Sequence, residues 1–168
     1  DFNAIPFINA DGYHSKTIAY SIWHIFRIED IVAHTVITED EQVFFTGNYQ
    51  VRINSPIITT GNELVKQQIA DFSKQLNLEE LYSYIFEVRE STEKILERFS
   101  YDELKWKIPD ERKGYLKSLN VVNCDEKAIW LIDYWCSKDI RGLIQMPFSR
   151  HWIMHTEACL RIKNKMHS

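Results

Sequence analysis

Cysteine is scarce in this sequence and never occurs as a CxxC pair. The three cysteines, Cys124, Cys136 and Cys159, are odd in number, so they cannot form a complete set of disulfides within one chain. This excludes a small scaffold held together by disulfide bonds. It favours a reducing compartment, and we therefore expect a cytoplasmic protein.

Long hydrophobic runs are also missing. No apolar stretch approaches the ~20 residues that a membrane-spanning helix needs. Residues 1–14 lack the basic start and the apolar segment of a signal peptide. We therefore expect a soluble protein that is not exported and has no membrane partner. Since the chain begins at Asp1 rather than at a methionine, an additional upstream element has to be allowed for.

An excess of basic charge is the third absence. The 24 acidic and 20 basic residues give a net charge of −4, and neither sign gathers into a long block. Because phosphate neutralisation needs clustered lysine and arginine, nucleic acid is not an expected partner. What the chain has in abundance is apolar surface, with 45% hydrophobic and 13% aromatic residues in a length of 168. One domain spanning residues 1–168 is expected, without repeats or linkers.

Helical periodicity predicts an all-α fold. In the longest stretches, apolar residues return every three or four positions and form one side of a helix. The predicted helices are residues 15–38, 62–76, 79–99, 125–138 and 149–165. Packing of these helices as an antiparallel bundle is the expected architecture.

The first predicted helix has two chemically different sides. Isoleucines and valines lie on one side, while Arg27, Asp30 and His34 gather on the other. This pattern predicts an amphipathic helix. In the connection that follows, Gly47 and Asn48 indicate a short hairpin.

Capping and breaking residues predict where the other helices begin and end. The candidate capping residues are Thr60 with Glu63, Asn77 with Glu80, and Asp125. Gly142 and Pro147 are expected to interrupt the chain just before the last helix.

Two histidines stand one turn apart on the last predicted helix. His151 and His155 share its inward face, about 40° apart around the axis. His24 lies within or at the edge of the apolar arc of the first helix and is the candidate for a third ligand. Three neutral nitrogens suit Zn, Ni or another divalent first-row metal and leave positions open for water or substrate. The alternative is that the histidines are hydrogen-bonded core residues, since an HxxxH pair alone is weak evidence.

Two segments resemble the DinB/YfiT-like superfamily of helical-bundle metalloproteins. They are IWHIFRIEDI at 22–31 and KDIRGLIQMPFSRHWIMHTEA at 138–158. Members carry a W-H followed by an acidic residue on one helix, and an H-x-x-x-H near the C-terminus after a Pro-containing turn. The resemblance implies a four-helix bundle of the up-down-down-up type, with a divalent metal on three histidines, and it favours a homodimer. Those ligands are His24, His151 and His155.

The resemblance also implies that one helix is missing here. Family members usually open with an additional helix before the W-H helix, and only a short stretch containing Pro6 and Gly12 precedes Trp23. We therefore expect this chain to lack the N-terminal helix of the family.

An activity follows from the resemblance as well. Characterised members include metal-dependent transferases that use a low-molecular-weight thiol such as bacillithiol or mycothiol, and other members are described as metal-dependent hydrolases. A small-molecule substrate and a thiol cosubstrate are therefore expected, because a bound cation lowers the pKa of a thiol. Two alternatives remain open. One is a hydrolase that activates water, and the other is a non-enzymatic bundle that binds a partner or a stress signal.

Further candidates stand beside the histidines. Glu29 lies in the apolar arc and is a candidate general base or imidazole acceptor, although a buried carboxylate paired with an arginine is the plainer interpretation. Arg150 is a candidate for binding an anionic substrate group, or a surface residue. Cys159 points away from the pair and is expected to be a small apolar filler. A group of aromatic residues suits either a core or a self-association surface: Trp130, Tyr134 and Trp135.

Overall fold

The computed structural model describes residues 2–3 and 15–167, and every regular element in this part is helical. The α-helices are α1 Ile18–Asp30, α2 Val43–Thr46, α3 Tyr49–Arg52, α4 Gln67–Gln75, α5 Leu78–Leu96, α6 Arg112–Ser118, α7 Glu126–Cys136, α8 Ile140–Gln145 and α9 His151–Met166. Two π-helical segments, Ile31–Thr38 and Met146–Arg150, and a 3-10 turn at Glu103–Lys105 complete the set. The all-α prediction is confirmed. The expected absence of a preceding helix concerns positions that lie outside the described residues.

The first helix is buried on all sides, and the prediction of an amphipathic helix is wrong. Arg27, Asp30 and His34, the residues of its supposed polar side, are all buried. The physical reason is that α1 packs against α4, α5 and α9, while its π-helical continuation contacts α5, α6 and α7. Protein therefore surrounds the polar side as well, and its charged groups pair within the fold, Arg27 with Asp30 and His34 with Asp40.

The Asp30 carboxylate anchors the connection that follows the first helix. It accepts the backbone N–H groups of Val43 and Phe44 at the start of α2, each at 2.9 Å. It also accepts the Tyr84 hydroxyl from α5 at 2.8 Å. Burial raises the pKa of Asp30, and the Arg27 guanidinium 3.6 Å away opposes that shift. Two short helices stand where a hairpin is predicted, so that prediction is wrong.

Two of the three predicted capping sites are confirmed. The Asn77 side chain accepts the backbone N–H groups at the start of α5, and that of Asp125 accepts a backbone N–H at the start of α7. The prediction at Thr60 and Glu63 is wrong, because α4 begins only at residue 67. Thr60 is buried against α1, and Glu63 instead accepts a hydrogen bond from Thr59.

The chain stays helical from residue 140 to residue 166, so the predicted break at Gly142 and Pro147 is wrong. Asp139 caps α8 by accepting the Gly142 N–H at 2.7 Å. Pro147 lies in the π-helical segment Met146–Arg150. A proline has no N–H to donate, and a locally widened turn accommodates it. His151 follows this segment directly.

The core consists of two hydrophobic clusters that share the first helix. One gathers around its N-terminal half with α2 to α5, and includes Trp23, Phe44, Ile69, Phe72 and Tyr84. The other surrounds its π-helical end with α6 and α7, and includes Ile31, Val32, Leu116, Ile132 and Trp135. Within the described residues, no helix has both the length and the apolar character needed to cross a bilayer.

Candidate metal centre

Three buried histidines from two helices converge on one point. His24 of α1 and His151 and His155 of α9 each offer a ring nitrogen, and these nitrogens lie within 4.8 Å of one another. The Nε2 atoms of His24 and His151 are 3.3 Å apart. All three side chains are buried. The sequence therefore identified correctly which histidines come together.

A backbone carbonyl fixes the orientation of the His24 ring. The Nδ1 atom of His24 donates to the Thr60 carbonyl oxygen at 2.6 Å. With the proton on Nδ1, the Nε2 atom that faces His151 carries the lone pair. The Tyr20 ring stacks on His24 with a centroid distance of 5.3 Å and an angle of 11°. Metal-binding histidines are oriented in this way by an acceptor on the other nitrogen.

The carbonyl groups of segment 58–61 form an acceptor row along α1. Tyr20, His24 and Arg27 are spaced four and three residues apart and therefore lie on one side of the helix. They donate to the carbonyl groups of residues 61, 60 and 58, respectively, at 2.8, 2.6 and 2.7 Å. The connection before α4 is thus docked on α1 by side chains that include the candidate ligand.

Gly61 allows this close docking. Its φ of +77° lies in the left-handed region that side-chain-bearing residues rarely adopt. A Cβ atom at this position would stand 2.8 Å from a ring carbon of Trp23, which is fully buried. A residue other than glycine would therefore push the segment away from α1.

The three imidazoles are held in the neutral form. Burial lowers the pKa of His151 to about 4. Burial also brings the pKa of His24 and of His155 well below the ordinary value, and the charges of neighbouring rings add to that effect. Because a neutral imidazole is the form that binds a metal ion, no proton has to be displaced near neutral pH.

The cluster fits a divalent first-row metal ion. Two nitrogens that each lie 2.0–2.1 Å from a tetrahedral ion are about 3.3–3.4 Å apart. The 3.3 Å between the Nε2 atoms of His24 and His151 matches this value. Three neutral nitrogen ligands suit zinc or nickel and leave coordination positions for water or substrate.

A cavity of about 330 Å³ opens beside the histidines. Lys16, Tyr20 and Asn62 supply its polar lining. The rest of the lining is largely apolar and aromatic and includes Trp130, Leu131, Tyr134, Trp135, Met146 and Pro147. A ligand of small-molecule size therefore has direct access to the histidine nitrogens.

The structure places Glu29 and Arg150 away from this cavity. Glu29 does not line it and instead pairs with Arg89 of α5 at 3.0 Å. Burial raises the pKa of Glu29, and the Arg89 charge opposes the shift. Arg150 is exposed and is not part of the lining. Neither residue is in place to act on a ligand there, because the apolar arc of α1 faces α5 as well as α9.

Other residues of the site were not found by sequence reasoning. Tyr20 precedes His24 by four positions on α1, so helical spacing places both on one side, and Lys16 lies just before the N-cap residue Thr17. That spacing could have found Tyr20. Asn62 reaches the cavity from the connection before α4, and no local pattern indicates this. Cys159 is half-buried and does not line the cavity.

The chain matches no protein-family model, no curated protein and no solved structure. Its similarity to the DinB/YfiT-like superfamily therefore remains a resemblance of two histidine-bearing segments. The function has to follow from the histidine cluster and the cavity beside it.

Proposed function

We propose that this protein is a metal-dependent enzyme of the DinB/YfiT-like type. His24, His151 and His155 would hold a divalent ion, zinc or nickel, and a low-molecular-weight thiol would be activated for transfer to an electrophile. The observation that carries the proposal is the convergence of three buried imidazole nitrogens, within 4.8 Å, at the wall of a cavity of about 330 Å³.

The four longest helical stretches support the bundle architecture. They are residues 18–38, 78–96, 126–136 and 140–166. The first stretch packs against the second and the fourth, and its π-helical end contacts the third. This arrangement is compatible with an up-down-down-up four-helix bundle whose ligands come from the first and last helices.

The site supplies orientation for the groups that would hold the ion. When bound, a divalent ion lowers the pKa of a thiol so that the thiolate is available near neutral pH. The Thr60 carbonyl keeps the His24 lone pair directed at the shared point. The described lining contains no carboxylate that would take up the thiol proton. In the transfer, the thiolate sulfur would form a C–S bond with the electrophile, and the leaving group would depart with its electron pair.

The cavity favours an enzyme over a purely structural bundle. A bundle whose histidines serve only stability has no need of ligand space beside them. Here the histidines share their cavity with a lysine, an asparagine and an aromatic wall. A small-molecule substrate fits such a mixed lining.

Two properties outside the site complete the proposal. Three free thiols, Cys124, Cys136 and Cys159, support a reducing cytoplasm as the location. The family resemblance supports a homodimer, which light scattering of the purified protein tests directly.

The activity is tested with a thiol and a chromogenic electrophile. Zinc- or nickel-loaded protein is mixed with bacillithiol, mycothiol or cysteine, and chlorodinitrobenzene serves as the electrophile. We expect thioether formation that requires both the metal and the thiol, is lost in His151→Ala, and is retained in His167→Ala, whose histidine is exposed near the chain end. Metal-dependent hydrolysis of nitrophenyl acetate without any thiol turnover would overturn the transferase proposal in favour of a hydrolase.

A further inference from the structure

The lining of the histidine cavity contains a cation, Lys16, that pairs with no acidic side chain of the described residues. Lys16 lines this cavity, and its Nζ atom lies 5.2 Å from the centroid of the Tyr20 ring. The same ring stacks on His24, so the ammonium group and the candidate metal ligand lie against one aromatic side chain. No described carboxylate lies within ion-pair distance of Lys16. Burial alone lowers its pKa.

One acidic group, Glu63, acts on the Tyr20 ring that lies beside Lys16. Glu63 acts on the Tyr20 hydroxyl, whose pKa is raised by burial and by the Glu63 charge. It accepts a hydrogen bond from Thr59 and does not line the cavity. Among the described residues, no acidic side chain therefore pairs with the Lys16 charge on the cavity side. A half-buried cation of this kind binds an incoming anion more strongly than a solvated surface lysine does.

The aromatic part of the lining suits an apolar body. Trp135 is fully buried, and Trp130 packs edge-to-face on Tyr134 with a centroid distance of 5.6 Å. The Trp130 indole is fixed because its Nε1 atom donates to the Lys127 carbonyl at 2.9 Å. Trp130 is also 49% exposed, so one edge of the aromatic wall reaches solvent. A planar or apolar ligand can pack against these aromatic side chains in the same cavity as the histidines.

We propose that the cavity takes a small organic acid with an aromatic or otherwise apolar body, whose carboxylate pairs with Lys16. The body lies against Trp130, Tyr134 and Trp135, and the reacting atom faces the histidines. This inference deepens the proposed function, on which it rests, by naming the class of substrate. Lys16 thereby sets specificity and takes no part in the chemistry.

A second polar group fixes the ligand's orientation. The Asn62 side-chain oxygen lines the cavity, is buried, and has no hydrogen-bond partner among the described residues. A buried acceptor of this kind costs free energy until a donor reaches it. A hydroxyl or amide N–H on the bound acid satisfies it.

Binding of phenylacetate and its uncharged analogue phenylacetamide tests the charge preference. Calorimetric titrations are made on metal-stripped and zinc-loaded full-length protein, with the zinc content of each sample measured. We expect wild type to prefer the acid by about tenfold, as an added charge-assisted pair of ~1.4 kcal/mol gives. Lys16→Met should abolish the preference, and Lys16→Arg should retain it. The matched control Lys163→Met, which removes an exposed lysine outside the cavity, should leave it unchanged.

The outcomes separate this inference from the metal proposal. A Lys16-dependent preference in protein that cannot hold zinc supports the acid site and overturns the metal centre. A preference that survives in Lys16→Met and requires zinc means that the carboxylate binds the metal, which overturns the role of Lys16. Equal binding of the acid and the amide, or no binding at millimolar concentration, overturns the proposal as well.

Discussion

Replacing Gly61 by alanine tests whether the carbonyl segment docked on α1 positions the site. An alanine here would cost free energy in two independent ways. The backbone φ is +77°, and the added Cβ atom would lie 2.8 Å from the Trp23 ring. A second ring, that of Tyr20, would lie 3.1 Å away. Both rings belong to the buried side of α1 and cannot move into solvent.

The magnitude follows from these two costs. Holding alanine in the left-handed region costs about 1–2 kcal/mol. Overpacking against a buried aromatic ring costs about 1–3 kcal/mol. Gly61→Ala should therefore lower the free energy of unfolding by about 3 kcal/mol. Because the neighbouring Thr60 carbonyl orients His24, zinc affinity should also fall about tenfold, the effect typical of losing a group that orients a ligand.

Urea unfolding of metal-stripped protein measures the first effect, and competition with a chelator measures the second. Gly114→Ala is the matched control, since a Cβ atom there would meet nothing within 4 Å and the residue lies inside α6. That change should stabilise the protein by about 0.5–1 kcal/mol. If Gly61→Ala unfolds like wild type and binds zinc equally well, the docking argument is wrong.

Three further predictions concern buried charge. Burial keeps the pKa of the clustered histidines below their unfolded value of about 6.5, to about 4 for His151, so the unfolded chain binds more protons as pH falls. The free energy of unfolding of metal-stripped protein should therefore fall below about pH 6.5, with a slope that approaches about 4 kcal/mol per pH unit for three such groups. A free energy from urea unfolding that stays constant down to about pH 5 would contradict this. Arg89→Met removes the charge that pairs with the buried Glu29 carboxylate, and should lower the free energy of unfolding by about 2–3 kcal/mol without changing the zinc content. Loss of zinc in this variant would indicate that Glu29 belongs to the site. Asp30→Ala should lower the free energy of unfolding by at least about 3 kcal/mol, whereas Tyr84→Phe should lower it by about 1 kcal/mol, as measured by thermal or urea unfolding. The reason is that the Asp30 carboxylate accepts hydrogen bonds from two backbone N–H groups and from the Tyr84 hydroxyl. Equal effects of the two substitutions would refute this.

Sequence patterns predicted correctly those features that depend only on neighbouring residues in the chain. The caps at Asn77 and Asp125 depend on one side chain and the next turn of backbone, so sequence is sufficient to find them. The environment of Arg27 and Asp30 depends on what packs against the helix, and a helical wheel cannot supply that. A helical wheel shows only which residues share a side of the helix. In the structure, Arg27 donates to a carbonyl of segment 58–61, and Asp30 accepts the backbone N–H groups at the start of α2.

In the candidate site too, helical spacing predicted some residues, and others depend on how distant segments pack together. Sequence spacing placed His151 and His155 on one buried face and selected His24 as their partner. The cavity beside them is formed where α1, α7, α9 and the connection before α4 meet, so residues such as Asn62 could not be found from spacing. The helical wheel placed Glu29 correctly in the interior but could not tell α5 from α9 as its neighbour.

Metal stoichiometry tests the central claim most directly. Elemental analysis is made on purified wild type, His24→Ala, His151→Ala and the control His167→Ala, with circular dichroism to confirm that each is folded. We expect one divalent ion per chain in wild type and in the control, and none in the other two variants. Folded wild-type protein that retains no metal after exposure to zinc or nickel, or a His24→Ala variant that retains it fully, would contradict a metal centre built on these three histidines.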